Sequence, residues 1–174
     1  RYATDSKWRI PHFEKMLYNQ ADLARVYLLA YDVTDKVAYQ LVAEDILAYV
    51  SREMIGNDGA FYSAMDSETD AIEGQYYLWT EEAIRETLAD EADLFFQMYT
   101  LAPMPEGEGA VIYMNRSLEE TASHTGLSVD QLRQHRQTMS AALLSVRAGR
   151  KKPLVDTKVL AAWNGHMIDT FAYA

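Results

Sequence analysis

Cysteine is absent from the 174 residues. That excludes disulfides, thiolate metal sites, a cysteine nucleophile and a C-x-x-C redox pair within this stretch. Positive charge is scarce as well: Lys and Arg number 16 against 26 Asp and Glu, a net charge of −10. A chain without a basic footprint is expected to bind neither nucleic acid nor an anionic membrane surface. No apolar run approaches the roughly 18 residues of a membrane span. The four histidines are scattered, and none forms an H-x-x-x-H or H-E-x-x-H pair, so neither a metal nor a cofactor is expected. A G-x-S-x-G elbow, a P-loop and a dinucleotide glycine pattern are all missing, which leaves serine hydrolysis, nucleotide hydrolysis and Rossmann-type redox chemistry without support. The ends lack an initiator Met, a signal pattern and a helix stop signal, and a piece of a larger protein is expected.

What is present is an ordinary globular composition, 49% hydrophobic and 24% charged, which argues against disorder. Phe13, Met16, Leu17, Ala24, Tyr27, Leu28 and Tyr31 recur at three- and four-residue steps and predict a long helix, with Pro11 marking its start. Asp32–Asp35 reads as a short connection in which Thr34 or Asp35 caps a second helix. That helix places Ala38, Leu41, Val42, Ile46, Tyr49, Val50 and Met54 on one face and ends at Asn57-Asp58-Gly59. The two form an αα-hairpin. Residues 60–64 and 75–79 are aromatic-rich and strand-like, and with the acidic stretch between them they read as an inserted irregular β-hairpin. Helical pattern resumes after a Thr80 cap to about Tyr99. A loop follows at 102–110, then a short strand at 111–114. Capping boxes at Ser117…Glu120 and Ser128…Gln131 start two more helices, and a last helix opens near Asp156 or Thr157. The class is mainly α.

Three clusters carry chemistry. In the first, a proline-led helix start places His12 at an edge, with Lys15 and Tyr18 or Asn19 on the adjoining face. His12 suits a general acid/base, steered by Glu14 or Lys15; the plainer reading is a helix-entry histidine bonded to backbone. In the second, Asp66 to Glu73 fails the EF-hand pattern, because Ala71 and Tyr77 stand where Gly and Glu are required. Asp66 and Glu73 could instead do acid–base work on a sugar, or simply form a solvated loop. The third joins Lys151 to Lys158 with Trp163-Asn164-Gly165. Gly165 inside a helical pattern suggests close packing or ligand approach, and Trp163 offers a stacking face or a core filler. His166 is a lesser candidate ligand. Arg147 to Lys152 are explained by a helix C-terminus, and His124 and His135 have no role.

In this order the clusters resemble one family. Trp8-Arg9-Ile10-Pro11-His12-Phe13-Glu14-Lys15-Met16-Leu17-Tyr18-Asn19-Gln20 is similar to its W-x-x-P-H-F-E-K-M-L-Y-D-x-A signature. Phe61 to Ser67 with Glu73 to Thr80 resembles its F-x-S-A-x-D-A-D-S…E-G-x-F-Y-x-W-T segment. Lys152-Pro153, Asp156, Lys158 and Trp163-Asn164-Gly165 resemble its R-x-x-P-x-x-D-D-K…W-N-G-L-M segment. The family is the YyaL-like, spermatogenesis-associated group of thioredoxin-domain proteins. Departures fall at Ser67-Glu68, at Thr157 and at His166, where the family has Leu.

The resemblance implies an internal part, two to three helical hairpins, of one (α/α)6 toroid spanning 1–174, related to N-acylglucosamine 2-epimerases and six-hairpin glycosidases. A thioredoxin-like domain upstream is absent from this stretch. It implies a carbohydrate-active protein with epimerase- or isomerase-like proton transfer on a sugar, His12, Glu14 and Asp66 being catalytic. Lys15, Tyr18, Asn19, Glu73, Asp156, Lys158, Trp163 and Asn164 would bind the sugar or glycan, in the cytoplasm. The alternative is a non-catalytic module that binds a glycan or a protein and works with the thioredoxin-like domain.

Overall fold

A computed structural model describes residues 2–105 and 109–174, and the chain divides into two compact units. The first comprises Phe13–Ser67 and Pro153–Ala174. It begins with a two-residue strand, β1 (Lys15–Met16), that runs straight into α1 (Leu17–Thr34). The helix therefore starts six residues beyond Pro11, because Lys15 and Met16 pair with Met65 and Ala64 before any helical turn closes. The Leu17 amide continues that ladder onto the Ser63 carbonyl at 2.9 Å.

Asp35 adopts a left-handed conformation (φ 52°) and donates its amide to the Tyr31 carbonyl. It closes α1 rather than opening the next helix. α2 (Val37–Glu53) has no side-chain N-cap, and Met54 ends it before the expected Asn57-Asp58-Gly59 stop. Those residues instead shape the turn that leads to Phe61, whose isolated bridge to Ile55 closes it. β2 (Ala64–Met65) lies at the centre of a three-stranded antiparallel ribbon, with β1 on one side and a Val155–Asp156 strand on the other. α1 packs against α2 and against the Ala161–Tyr173 helix. Leu17, Ala21, Val50, Met54, Phe61 and Met167 form the core they share. Removing these side chains from water supplies this unit's main stabilisation, at about 25 cal/mol per Å² of apolar surface.

The second unit comprises Tyr2–His12 and Glu68–Lys152. β3 (Glu68–Thr69) and β4 (Ile72–Glu73) form a tight antiparallel hairpin. Both central residues, Asp70 (φ 54°) and Ala71 (φ 62°), have the positive φ that a two-residue hairpin turn demands. The inserted hairpin thus occupies the acidic stretch itself, and the aromatic segments beside it pair elsewhere: Ala64–Met65 in the first unit's ribbon, Trp79 with Ala110.

α3 (Glu81–Leu88) is capped by Thr80, whose hydroxyl accepts from the Ala83 amide. After a 3-10 turn at Ala89–Glu91 comes α4 (Ala92–Met98). β5 (Tyr99–Pro103) pairs in register with β6 (Ala110–Met114). The strand at 111–114 was expected and its partner was not. Part of the loop expected over 102–110 falls on residues 106–108, outside the described residues. Both capping boxes form, opening α5 (Leu118–Thr125) and α6 (Val129–Ala148). The remaining elements, in the first unit, are β7 (Val155–Asp156) and α7 (Ala161–Tyr173). The fold is mainly helical with small antiparallel ribbons.

Candidate functional site

The first unit holds a cleft of about 500 Å³ lined by Glu14, Ala64, Asp66, Leu154, Val155, Asp156, Thr157 and Lys158. Its floor is the short ribbon. Ala64 pairs with Asp156 and Met65 with Val155, and the Asp66 amide donates to the Leu154 carbonyl at 2.8 Å. Strand pairing thus brings residues 14, 66 and 156–158 together from three distant parts of the chain. Ser63 adds its amide and hydroxyl, both donating to the Asp156 carbonyl at 3.1 and 3.2 Å.

Within the cleft, the Lys158 ammonium stands 2.8 Å from Asp156 Oδ2, and the Lys158 amide donates to Asp156 Oδ1 at 3.2 Å. The ammonium's hydrogen bond foremost, and then the amide's, hold the Asp156 carboxyl below its usual range. Asp156 is therefore an anion and an acceptor at neutral pH. Glu14 is half-buried and Asp66 exposed. Four of the residues expected to act on a ligand therefore line one surface.

His12 belongs to the second unit. It is not on the first turn of a helix; it lies ahead of β1, with its amide donating to the Tyr2 carbonyl at 3.0 Å. Nδ1 lies 2.8 Å from Glu73 Oε1, and the Tyr2 ring stacks on the imidazole at 4.9 Å and 10°. A carboxylate on one ring nitrogen fixes the ring's orientation and favours the tautomer that donates to it. β4 delivers Glu73, and the ion pair between Lys151 and Asp70 ties down the hairpin's turn. Sequence reasoning gave Lys151 only a helix-end role, since its partner lies 81 residues away.

Glu73 also lines a second cleft of about 410 Å³ in this unit, together with Thr4, Ile10, Ala71, Ile72, Met104 and Pro105. Arg150 is another residue whose work was hidden. It donates to the Tyr76 and Leu78 carbonyls at 3.2 and 2.6 Å and lies over the Trp79 ring at 4.1 Å, and burial pulls its guanidinium below the ordinary range.

The other expected residues lie in neither cleft. Lys15 donates to the Phe13 carbonyl at 2.8 Å. Tyr18 and Trp163 meet each other, ring centroids 5.0 Å apart, and Trp163 packs on the first unit's core. Asn19 is half-buried in the first turn of α1. Asn164 is buried: its Oδ1 accepts from the Phe61 amide at 2.8 Å, and its Nδ2 donates to the Phe61 and Leu160 carbonyls at 2.9 and 3.2 Å. That amide serves the fold. A Cβ on Gly165 would meet nothing within 4 Å, so the close packing expected there is not found among the described residues. His166 lies at the surface, 3.5 Å from Asp22.

Among the described residues, no group of three or more His, Asp or Glu side chains could hold a metal ion. No described helix is long and apolar enough to cross a membrane.

No family model matches the chain. Spermatogenesis-associated protein 20 of Mus musculus is 38% identical over 199 aligned positions, covering 99% of this chain and 25% of its own length. Those of Homo sapiens and Rattus norvegicus are 36% and 35% identical, over 99% and 100% of this chain and 25% and 26% of their own lengths. The chain thus spans about a quarter of the length of these relatives. Homologues named spermatogenesis-associated protein 20 cover this chain almost end to end, and that similarity supports the same family for it.

Proposed function

We propose that the cleft of the first unit binds a sugar and that Glu14 and Asp66 move a proton on it, as an epimerase or isomerase does. One observation carries the reading: three carboxylates and an ammonium line a single cleft. A sugar presents hydroxyls that donate and accept. Carboxylates take the donated hydrogens, and the Lys158 ammonium, a pure donor, suits an acceptor oxygen. Proton transfer beside a carbonyl needs a base to take the hydrogen and an acid to return one. Two carboxyl groups in one cleft can supply both. Asp156, kept ionised by Lys158, positions hydroxyls.

In this reading the chain is an internal part of an (α/α)6 toroid that follows a thioredoxin-like domain, in a cytoplasmic protein, as its resemblance to the family implies. The test is solvent deuterium entering C2 of a panel of aldoses, catalysed by the full-length protein. Glu14→Gln and Asp66→Asn are expected to abolish the exchange and His12→Ala to spare it. Loss in His12→Ala with exchange kept in Glu14→Gln would instead assign the proton to His12, oriented by Glu73. No exchange with any aldose removes the enzymatic reading.

The Asp156–Lys158 pair favours a second reading, a module that binds a glycan or protein without reaction and presents it to the thioredoxin-like domain. A carboxylate already neutralised by an ammonium orients a ligand and does not take up its proton. Aldose binding without isotope exchange is the outcome this reading expects.

A further inference from the structure

The Tyr2–His12 segment of the second unit folds back on itself. Ala3 and Pro11 form an antiparallel bridge, the His12 amide donates to the Tyr2 carbonyl at 3.0 Å, and the Thr4 amide donates to the Ile10 carbonyl at 2.8 Å. At the tip, the Asp5 carboxylate accepts from the amides of Lys7, Arg9 and Ile10 at 3.0, 2.8 and 2.8 Å. The Ile10 amide foremost, with those of Arg9 and Lys7, holds that carboxyl below its usual range, so the clasp persists at neutral pH. What the clasped loop presents is Trp8, 82% exposed and in left-handed backbone (φ 56°). A bulky residue takes that conformation only where its surroundings impose it. Trp8 makes no ring contact with a described residue, and neither Lys7 nor Arg9, both exposed, has a carboxylate partner among the described residues. Arg9 lies over the Tyr113 ring at 5.1 Å.

An indole and two cations held in water on a preformed loop have the residue types and the preorganisation of an interface anchor. Small molecules are held in concave sites, and this tip lines neither cleft described above. Nucleic acid and anionic membranes need a wider basic footprint than two cations in a chain of net charge −10. A protein surface remains. An indole buried whole removes about 150–250 Å² from water, far short of the roughly 800 Å² per partner in a stable complex of separate molecules. Within one polypeptide the tether supplies a high effective concentration, and a contact of this size suffices. This chain spans about a quarter of its relatives' length, so about three quarters of such a protein is available to make the contact.

We propose that Trp8 anchors an intramolecular dock, in which another segment of the full-length polypeptide takes the indole into an apolar pocket whose rim carboxylates pair with Lys7 and Arg9. This inference is independent of the sugar reading.

The experiment is fluorine NMR of the full-length protein labelled with 5-fluorotryptophan, the Trp8 signal being identified by its loss in Trp8→Phe. A neutral gadolinium chelate probes exposure. The expected relaxation enhancement of Trp8 is at least fivefold below that of the same residue in the urea-unfolded protein, and it does not change on tenfold dilution. Lys7→Glu with Arg9→Glu sets like charge against the rim. That double variant is expected to bring the enhancement within twofold of the unfolded value, while unmoved Trp79 and Trp163 signals show that the fold is kept. An enhancement within twofold of the unfolded value in the unaltered protein overturns the proposal without recourse to any variant. Protection that disappears on dilution identifies a second copy as the occupant and overturns the intramolecular dock. Protection that survives the double charge reversal overturns the carboxylate rim and the proposal with it.

Discussion

Replacing Asn164 with alanine removes one side-chain amide and, with it, three hydrogen bonds, two to Phe61 in the turn before β2 and one to Leu160 at the start of α7. The Phe61 amide loses its acceptor at 2.8 Å and the Phe61 carbonyl its donor at 2.9 Å, on a residue that is itself 8% exposed. The third bond, to the Leu160 carbonyl, costs little, since that carbonyl keeps the Asn164 backbone amide at 2.9 Å. Leaving a buried donor or acceptor unsatisfied costs about 1–3 kcal/mol per group. The two orphaned groups of Phe61 therefore set an expected loss of about 2–6 kcal/mol. With a urea dependence of about 2 kcal/mol per molar, the unfolding midpoint falls by about 1–3 M. Asn164→Asp separates the two halves of the amide, keeping an acceptor for the Phe61 amide and turning an oxygen toward two carbonyls. Its deficit is expected to match that of alanine at neutral pH and to shrink in acid, where a protonated carboxyl donates again. Urea unfolding followed by circular dichroism measures all three proteins. A midpoint within 0.2 M of the parent for Asn164→Ala, a difference of less than about 0.5 kcal/mol on the same slope, would refute the role given to this side chain.

Two further outcomes follow from the same coordinates. Gly165→Ala is expected to raise stability by up to about 1 kcal/mol, because the added Cβ meets open space on a helix where glycine is the poorer former. A lowered thermal midpoint would show that something close covers this face of α7. Lys158→Met is expected to raise the titration midpoint of the Asp156 carboxyl, read by carboxyl ¹³C NMR. The sign follows from the depressed pKa: the pair stabilises the folded state above the unfolded carboxyl's range and ceases to as pH falls through the folded value. The variant should therefore lag the parent at neutral pH and converge with it in acid; an unmoved midpoint contradicts the assignment.

Local rules were legible in the letters. The capping boxes at Ser117 and Ser128 and the Thr80 cap act within one turn of themselves, and each formed where expected. What escaped was non-local. Pro11 looked like a helix start, but Lys15–Met16 pairs with residues some fifty positions on, which delays the helix to Leu17. The helical pattern reads on to about Tyr99, with a loop over 102–110, whereas Tyr99–Pro103 is a strand whose partner, Ala110–Met114, is set by pairing that no local pattern shows. The site divides in the same way. Residue type and motif pointed to Glu14, Asp66, Asp156 and Lys158, which the ribbon collects. Asn164 had the same motif support, yet its partner 103 residues away engages it in the fold. Nor could spacing show that Glu73 would meet His12, 61 residues distant.

Saturation-transfer NMR of the full-length protein with aldoses tests the proposed sugar binding in the first unit's cleft most directly. Transfer to at least one aldose, lost in an Asp66→Asn, Glu14→Gln double variant that remains folded, is the result expected. No transfer to any aldose, or equal transfer to parent and double variant, would contradict it.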